Sequence, residues 1–169
     1  MNSLTSNQIQ KLIFMTSEFV QNSRLKPPLS AEKEPAYTSR VVLPLVSAWV
    51  KSLNENGLHV RGDGGLNPLK IVWDEISLYP DITIMHFHDR LISFEVKFLR
   101  NDDPGGSLTK AIGQTYMYEK AGFQASFGVI VDCRTLNLSS PSVESANEIE
   151  LTKSSRAYIF KPSDKPASM

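Results

Sequence analysis

Residues 79–100, YPDITIMHFHDRLISFEVKFLR, decide the fold of this 169-residue chain. Most of the stretch is apolar enough for two buried strands, yet it carries an aspartate near one end and Glu-Val-Lys in its second half. Charged side chains are seldom buried without a partner or a task. Asp81, Glu95 and Lys97 are therefore the first candidates for a functional site.

The same stretch predicts a hairpin that brings these three residues together. Residues 88–90, His-Asp-Arg, form the predicted turn between the two strands. Side chains alternate between faces along a strand, so Glu95 and Lys97 point the same way and their apolar neighbours point into a core. The hairpin then places Asp81 opposite the region of Lys97, near Glu95. Two carboxylates and one ammonium group are expected to meet near an edge of the sheet.

The composition describes an ordinary globular chain. Lys+Arg and Asp+Glu number 18 each, so the net charge gives no sign of a nucleic-acid partner. Cys133 is the only cysteine, which excludes an internal disulfide and favours a reducing, cytoplasmic location. The N-terminus lacks the pattern of a signal peptide, and no run approaches 18 apolar residues, so we expect no membrane partner.

Helical spacing and chain breakers divide the sequence into three parts. Residues 6–22 have helical spacing, with Ser6 as the predicted cap, and Pro27-Pro28 follows. We assign residues 1–29 to an N-terminal helical appendage, residues 30–161 to the main domain and residues 162–169 to a flexible tail.

The main domain is predicted to be α/β, in the order helix, three strands, helix, strand. Its first helix has Ser30 as cap and ends at Gly57, and Pro44 predicts a kink or a late start. The predicted strands are residues 69–78, 80–87, 90–99 and 123–132, with a last one at 156–162. The second helix is residues 108–121, capped by Ser107, and residues 61–68 and 136–148 are predicted loops.

Two neighbouring carboxylates beside a lysine suit phosphodiester hydrolysis. Carboxylates this close repel when both are ionised, and a hard divalent cation removes that penalty. Mg²⁺ prefers oxygen ligands, makes a bound water more acidic and neutralises charge on a phosphoryl oxygen. The lysine orients that water or stabilises the negative charge that develops.

The motif Pro80-Asp81 followed by Glu95-Val96-Lys97 resembles that of the PD-(D/E)XK nuclease superfamily, which has the restriction-endonuclease-like fold. The predicted element order is similar to that family's core, and the resemblance covers residues 30–133. It implies a central mixed β-sheet flanked by helices. It also implies a nuclease dependent on Mg²⁺, with Mn²⁺ as a substitute, that acts on DNA in restriction or other defence against foreign DNA.

The resemblance also implies individual roles. Asp81 and Glu95 would ligate the metal together with the backbone carbonyl of Val96. Lys97 would position the attacking water or steady the transition state. Gln114, in the helix that follows, would hold Lys97 or a substrate phosphate.

The resemblance further implies a metal-ligating acid from the first core helix. Glu34 is the candidate and Glu32 the substitute, while Asp74 and Glu75 rank below them. Tyr118 lies one helical turn after Gln114 and shares its face.

Each of these residues also has an ordinary structural explanation. Asp81 after Pro80 suits a turn, and Glu95 with Lys97 suits the solvated face of an edge strand. Glu34 is also a typical first-turn acid, and Tyr118 a packing residue with a surface hydroxyl.

Two other groups of polar residues are weaker candidates. His86 and His88 are spaced to share a strand face, but a third zinc ligand is not evident. Asp102-Asp103 suits a solvated loop. A phosphate-tracking surface is open for six basic residues: Arg40, Arg61, Lys70, Arg90, Arg100 and Lys110.

Two alternatives to a DNA-cleaving defence enzyme remain open at the level of sequence. One is a Holliday-junction or repair nuclease with the same site. The other is a degenerate member of the fold that binds nucleic acid or a partner protein. A homodimer or a larger complex is compatible with either, because fold and motif do not settle substrate or assembly.

Overall fold

The computed structural model describes residues 3–62, 69–136 and 140–163, which form an α/β fold around a mixed seven-stranded sheet. The helices are α1 (Ser6–Gln21), α2 (Glu34–Tyr37), α3 (Leu43–Ser52) and α4 (Pro104–Lys120). The strands are β1 (Arg24–Leu25), β2 (Leu58–Gly62), β3 (Ile71–Trp73), β4 (Ile76–Leu78), β5 (Ile82–His86), β6 (Asp89–Leu99), β7 (Ala125–Asp132), β8 (Val143–Glu150) and β9 (Arg156–Pro162). No helix in these ranges has both the length and the apolar character to cross a membrane.

Three parallel strands form the centre of the sheet. The strand order is β1-β8-β9-β7-β6-β5-β2, with β6 parallel to β7 and β7 parallel to β9. The strands on either side of this centre run antiparallel to their neighbours. In the β6–β7 register Glu95 lies beside Gly128, and Lys97 lies beside Ile130.

Helices cover both faces of the sheet. The Phe94, Val96 and Phe98 side chains of β6 are buried in the main core, together with residues of α1 and α3 such as Leu12 and Val46. The opposite face of β6 and β7 packs against α4. The predicted alternation along β6 therefore holds: its apolar face fills the core, and its polar face lies under α4.

The first core helix is interrupted close to the predicted position. A π-helical segment, Thr38–Val42, joins α2 to α3, and Pro44 lies in the first turn of α3. Proline has no N–H to donate to the preceding turn, which accounts for the break there. Ser30 is not the cap, because Lys33 occupies that position and provides no side-chain hydrogen bond.

The N-terminal segment packs against the strands that follow it. Leu12, Ile13 and Val20 of α1 lie in the main core, and β1 extends the sheet by pairing with β8. Thr5, rather than Ser6, caps α1, in a reciprocal arrangement with the Gln8 side chain. At the other end β9 includes Pro162, and residues 164–169 of the predicted tail lie outside the described residues.

Residues 69–78 do not form the single strand predicted for them. They contain the hairpin β3–β4, a separate two-stranded sheet whose turn residues Asp74 and Glu75 have φ values of 46° and 66°. Ile71 and Leu78 pack the hairpin against Tyr118 of α4. The first strand of the core is instead β2, which pairs with β5 and includes Arg61 and Gly62 of the predicted loop.

Three smaller predictions were also wrong. The segment predicted as a loop at residues 136–148 contains most of β8, which pairs with β9 along its length. The hairpin turn is formed by Phe87 and His88, one residue earlier than predicted. Helix α4 begins at Pro104 because Asp103, not Ser107, accepts a hydrogen bond from the Gly106 amide.

Candidate functional site

The candidate site lies where β6 extends beyond its antiparallel partner. The last β5–β6 pair is Ile82 with Phe94, so no strand among the described residues pairs with the following residues of β6 on that side. Two carboxylates replace the missing strand: the Val96 amide donates to Asp81 Oδ2 at 2.7 Å and the Phe98 amide to Glu34 Oε1 at 2.9 Å. Buried backbone amides need such acceptors, so both acids are fixed along this edge.

Lys97 lies at the centre of the predicted acids. Its Nζ is 2.7 Å from Glu95 Oε1 and 3.7 Å from Glu34 Oε2. The Glu95 side chain is 2% exposed and that of Lys97 is 19% exposed. The structure therefore brings Asp81, Glu34, Glu95 and Lys97 together, although they come from three separate segments of the chain.

Burial and charge act in opposite directions on the Glu95–Lys97 pair. Burial raises the pKa of Glu95, and the Lys97 ammonium and the Tyr118 hydroxyl only partly offset this. Burial also opposes the charged form of Lys97, but the carboxylates of Glu95, Asp81 and Glu34 outweigh it and raise the pKa of Lys97. Lys97 therefore stays protonated at neutral pH.

Tyr118 is the site residue whose role the sequence did not indicate. It is fully buried, and its hydroxyl donates to Glu95 Oε2 at 2.7 Å. Gln114, one turn earlier on α4, is partly buried, and its side chain makes no hydrogen bond within the described ranges. One sequence feature could have predicted this hydrogen bond. The tyrosine lies on the face of a helix that covers a strand, and that strand carries a glutamate pointing toward the helix.

Gly128 allows α4 to approach the sheet closely enough for that bond. It lies beside Glu95 in the register, and a Cβ there would be 3.0 Å from Ala157 Cβ and 3.1 Å from Thr115 Oγ1 of α4. These contacts are tighter than ordinary van der Waals separation. A side chain at position 128 would push α4, and Tyr118 with it, away from Glu95.

We expect Gly128→Val to lower the free energy of unfolding by about 1–3 kcal/mol, because it overpacks a filled layer. Urea denaturation measures the change. Gly113→Val is the control, since a Cβ at Gly113 meets nothing within 4 Å and valine has a slightly higher helix propensity than glycine, so little or no loss of stability is expected there. A Gly128 variant no less stable than the Gly113 variant would contradict this account of the α4 packing.

The donor atoms of the site fit a hard divalent cation in kind. Asp81, Glu34 and Glu95 offer carboxylate oxygens, and the Val96 carbonyl lies along the same edge as its amide, because both groups of a strand residue point to one side. In the structure, however, both Glu95 oxygens are bound by Lys97 and Tyr118. Within the described residues, no three or more acidic, histidine or cysteine side chains are grouped to hold a metal ion. A cation at Glu95 would share these oxygens with Lys97 and Tyr118, because an ionised carboxylate offers about four acceptor positions.

The substitute acids lie elsewhere. Glu32 forms a two-bond ion pair with Arg40, at 2.7 and 2.6 Å, and those hydrogen bonds hold the pKa of Glu32 below its ordinary value. Asp74 and Glu75 are exposed at the tip of the β3–β4 hairpin, and Asp103 caps α4. These residues have structural roles or face solvent.

The two histidines do not form a common site. His86 is buried with its Nε2 3.1 Å from the Asn56 carbonyl oxygen, whereas His88 is exposed in the turn. Two of the candidate basic residues meet at one place, because Arg40 binds the Glu32 carboxylate and Arg100 donates to the Glu32 carbonyl. Arg90 lies at the opposite end of β6 from Arg100.

Comparison with models of known protein families, with curated proteins and with solved structures gave no match to this chain.

Proposed function

We propose that this chain is a Mg²⁺-dependent nuclease that hydrolyses phosphodiester bonds in DNA at the site around Lys97. The observation that carries the proposal is the position of the Lys97 ammonium among Glu95, Glu34 and Asp81, at the open edge of a central strand. The proposal includes a restriction-endonuclease-like core, in which α3, β2, β5, β6, α4 and β7 supply the order helix, three strands, helix, strand. Defence against foreign DNA is the proposed setting.

The side chains of the site have separate tasks in this proposal. Lys97 binds a non-bridging oxygen of the scissile phosphate and offsets the negative charge that develops there. Glu95, itself held by Tyr118, fixes the direction of Lys97, so that the ammonium group is in place before the phosphate arrives. The raised pKa of Lys97 keeps its ammonium group in the charged form that this task needs.

The same acids would hold the divalent metal ion. Asp81, Glu95 and the Val96 carbonyl are the proposed ligands, with Glu34 as a further one. When bound, Mg²⁺ supplies a more acidic water and neutralises phosphate charge. Mn²⁺ is expected to replace it, because it accepts the same oxygen ligands.

A non-catalytic role is the second candidate, and one observation favours it. Glu95 already has both oxygens satisfied by Lys97 and Tyr118, so the ion pair is complete without a metal. A protein that used this fold only to bind nucleic acid or a partner protein would need nothing further at this site. A junction or repair nuclease would use the same residues as a defence nuclease and differs only in substrate.

Cleavage by the purified chain tests the proposal. Supercoiled plasmid, linear duplex, single-stranded DNA and RNA are each incubated with Mg²⁺, Mn²⁺ or EDTA. We expect cutting only with a cation, and a loss of about 100–1,000-fold in rate for Lys97→Ala, because one fixed group at the developing charge is removed. Lys51→Ala, on the exposed end of α3, is the matched control and keeps the wild-type rate.

The outcomes separate the candidates. Cutting that persists at the wild-type rate in Lys97→Ala would reject the proposed site. No cutting of any substrate, with no cation bound in calorimetry, would favour the non-catalytic role. The preferred substrate separates an enzyme that nicks supercoiled plasmid from one that needs DNA ends.

A further inference from the structure

A second feature near the site is a cleft at the carboxyl ends of the parallel strands β6 and β7. Its volume is about 590 Å³, within the range of roughly 300–1,000 Å³ typical of ligand pockets. Residues that line it include Leu29, Ser30, Phe98, Arg100, Asn101 and Cys133. In open α/β sheets, ligands bind at this end of the strands.

Arg100 is held in a fixed position at this cleft. Its guanidinium lies 5.3 Å from the centre of the Phe98 ring, and one N–H donates to the Glu32 carbonyl at 3.2 Å. A guanidinium carries five N–H donors, so further donors and a planar face remain for a ligand. The charged residues at the cleft leave no net charge. Asp102 offsets the charge of Arg100, and Glu32 is neutralised by its ion pair with Arg40.

The chemistry of the walls suits an uncharged planar group. Leu29, with 60% of its surface exposed, provides an apolar wall, and Arg100 and Asn101 provide hydrogen-bonding groups. A nucleobase combines a flat apolar face with polar edges, and arginine stacks on such faces. A phosphate would instead call for an excess of positive charge, which this cleft does not have.

Phe98 connects the cleft to the candidate catalytic site. Phe98 lies at the cleft with Arg100 over its ring, and its backbone amide donates to Glu34 Oε1. The other oxygen of Glu34 is 3.7 Å from Lys97 Nζ. Lys97 and Phe98 project from opposite faces of β6, so a nucleic-acid strand with one phosphate at Lys97 has to cross the edge of β6 beside Glu34 to place a neighbouring base in the cleft. A base can enter only if it has left the stack of the duplex.

We propose that this cleft binds one unstacked nucleobase next to the scissile phosphate, so that the preferred substrate is single-stranded or frayed DNA. This inference rests on the proposed nuclease function and adds the substrate class. Arg100 stacks on the base and sets its position, and the Leu29 side chain forms the apolar wall against the base.

Binding in EDTA tests the inference without cleavage. A labelled single strand of about 12 nucleotides and a blunt duplex of the same sequence are titrated by fluorescence anisotropy. We expect the single strand to bind more tightly, and Arg100→Ala to lose about 5- to 150-fold in single-strand affinity, the value of one base stack. Arg100→Lys keeps the charge but loses the planar face, and should lose most of the same affinity. Arg24→Ala, which breaks only a partly exposed ion pair on β1, is the matched control.

Cys133 provides a readout at the cleft itself. It is the only cysteine, it is partly buried, and burial raises its pKa to about 11, so N-ethylmaleimide modifies it slowly. The single strand should slow this modification further in the wild type but not in Arg100→Ala. Modification that single-stranded DNA does not slow, or wild-type affinity in Arg100→Ala, would overturn the inference.

The two proposals fail separately. Cation-dependent cutting of duplex without protection of Cys133 would remove the base pocket and leave the nuclease. Protection of Cys133 by single-stranded DNA without cutting under any metal would keep the pocket and remove the catalytic function.

Discussion

Lys97→Ala is expected to lower the free energy of unfolding by about 3–5 kcal/mol at neutral pH in EDTA, because it leaves the buried Glu95 carboxylate without its cation. Glu95 is almost entirely buried, and its remaining partner, Tyr118, is a neutral donor. Urea denaturation at fixed pH measures the loss. The Lys97→Ala/Glu95→Gln double variant should recover much of it, since the unpaired charge is then absent.

The penalty should depend on pH with a definite sign. Burial raises the folded-state pKa of Glu95 above its ordinary value of 4.5, and removing Lys97 takes away the charge that lowers it. As pH rises above 4.5, the unfolded chain loses this proton while the folded chain keeps it, so the stability of Lys97→Ala falls with rising pH. Below 4.5 the carboxyl is neutral in both states and the penalty shrinks. A penalty that is constant from acid to neutral pH would mean that Glu95 is not the group left unpaired.

Phe98→Ala is expected to cost about 3–5 kcal/mol of unfolding free energy. Phe98 is 1% exposed, packs edge-on against Tyr37 with ring centres 5.2 Å apart, and carries Arg100 over its ring. The alanine variant loses these contacts and leaves a cavity between the sheet and α2. Urea or thermal denaturation measures the effect.

The chain provides a matched control for this substitution. Phe14 on α1 is 65% exposed, so Phe14→Ala should change stability by no more than about 0.5 kcal/mol. Equal effects of the two substitutions would contradict the packing described here.

The core hairpin could be predicted because its sequence carries both of the signals that define it. Alternation along residues 90–99 separates the apolar face of β6 from Glu95 and Lys97, and a turn midway brings Asp81 back to them. These relations depend only on the period of a strand and on the position of a turn. The structure agrees with them, apart from a turn that comes one residue earlier.

The strand β8 could not be predicted, because its sequence, VESANEIE, is poor in the residues that favour strands. Two of its three glutamates pair with other strands: Glu144 pairs with the distant Arg24 of β1 and Glu148 with Arg156 of the adjacent β9, each at 2.8 Å. Long-range pairing of this kind overrides local preference. The break in residues 69–78 was missed for a related reason, since Asp74 and Glu75 adopt positive φ values that only a tight turn requires.

The outer part of the site depended on tertiary structure. Glu34 reaches Lys97 only because α2 lies beside the open edge of β6, which no local pattern indicates. The bond from Tyr118 to Glu95 likewise depends on how closely α4 packs, and that is set by Gly128 on a different strand. Sequence reasoning therefore found the residue types of the site but not the contacts that hold them.

The most direct test of the central claim is whether the cluster around Lys97 binds a divalent cation. Titration of Mn²⁺ into the metal-free chain by isothermal calorimetry measures this without knowledge of the substrate. The account predicts one saturable site per chain, weakened at least tenfold in Asp81→Asn and in Glu95→Gln and unchanged in Glu150→Gln, an acid on the far side of the sheet. No binding by the wild type, or equal binding by all four proteins, would contradict it and leave the Glu95–Lys97 pair as a structural element of the core.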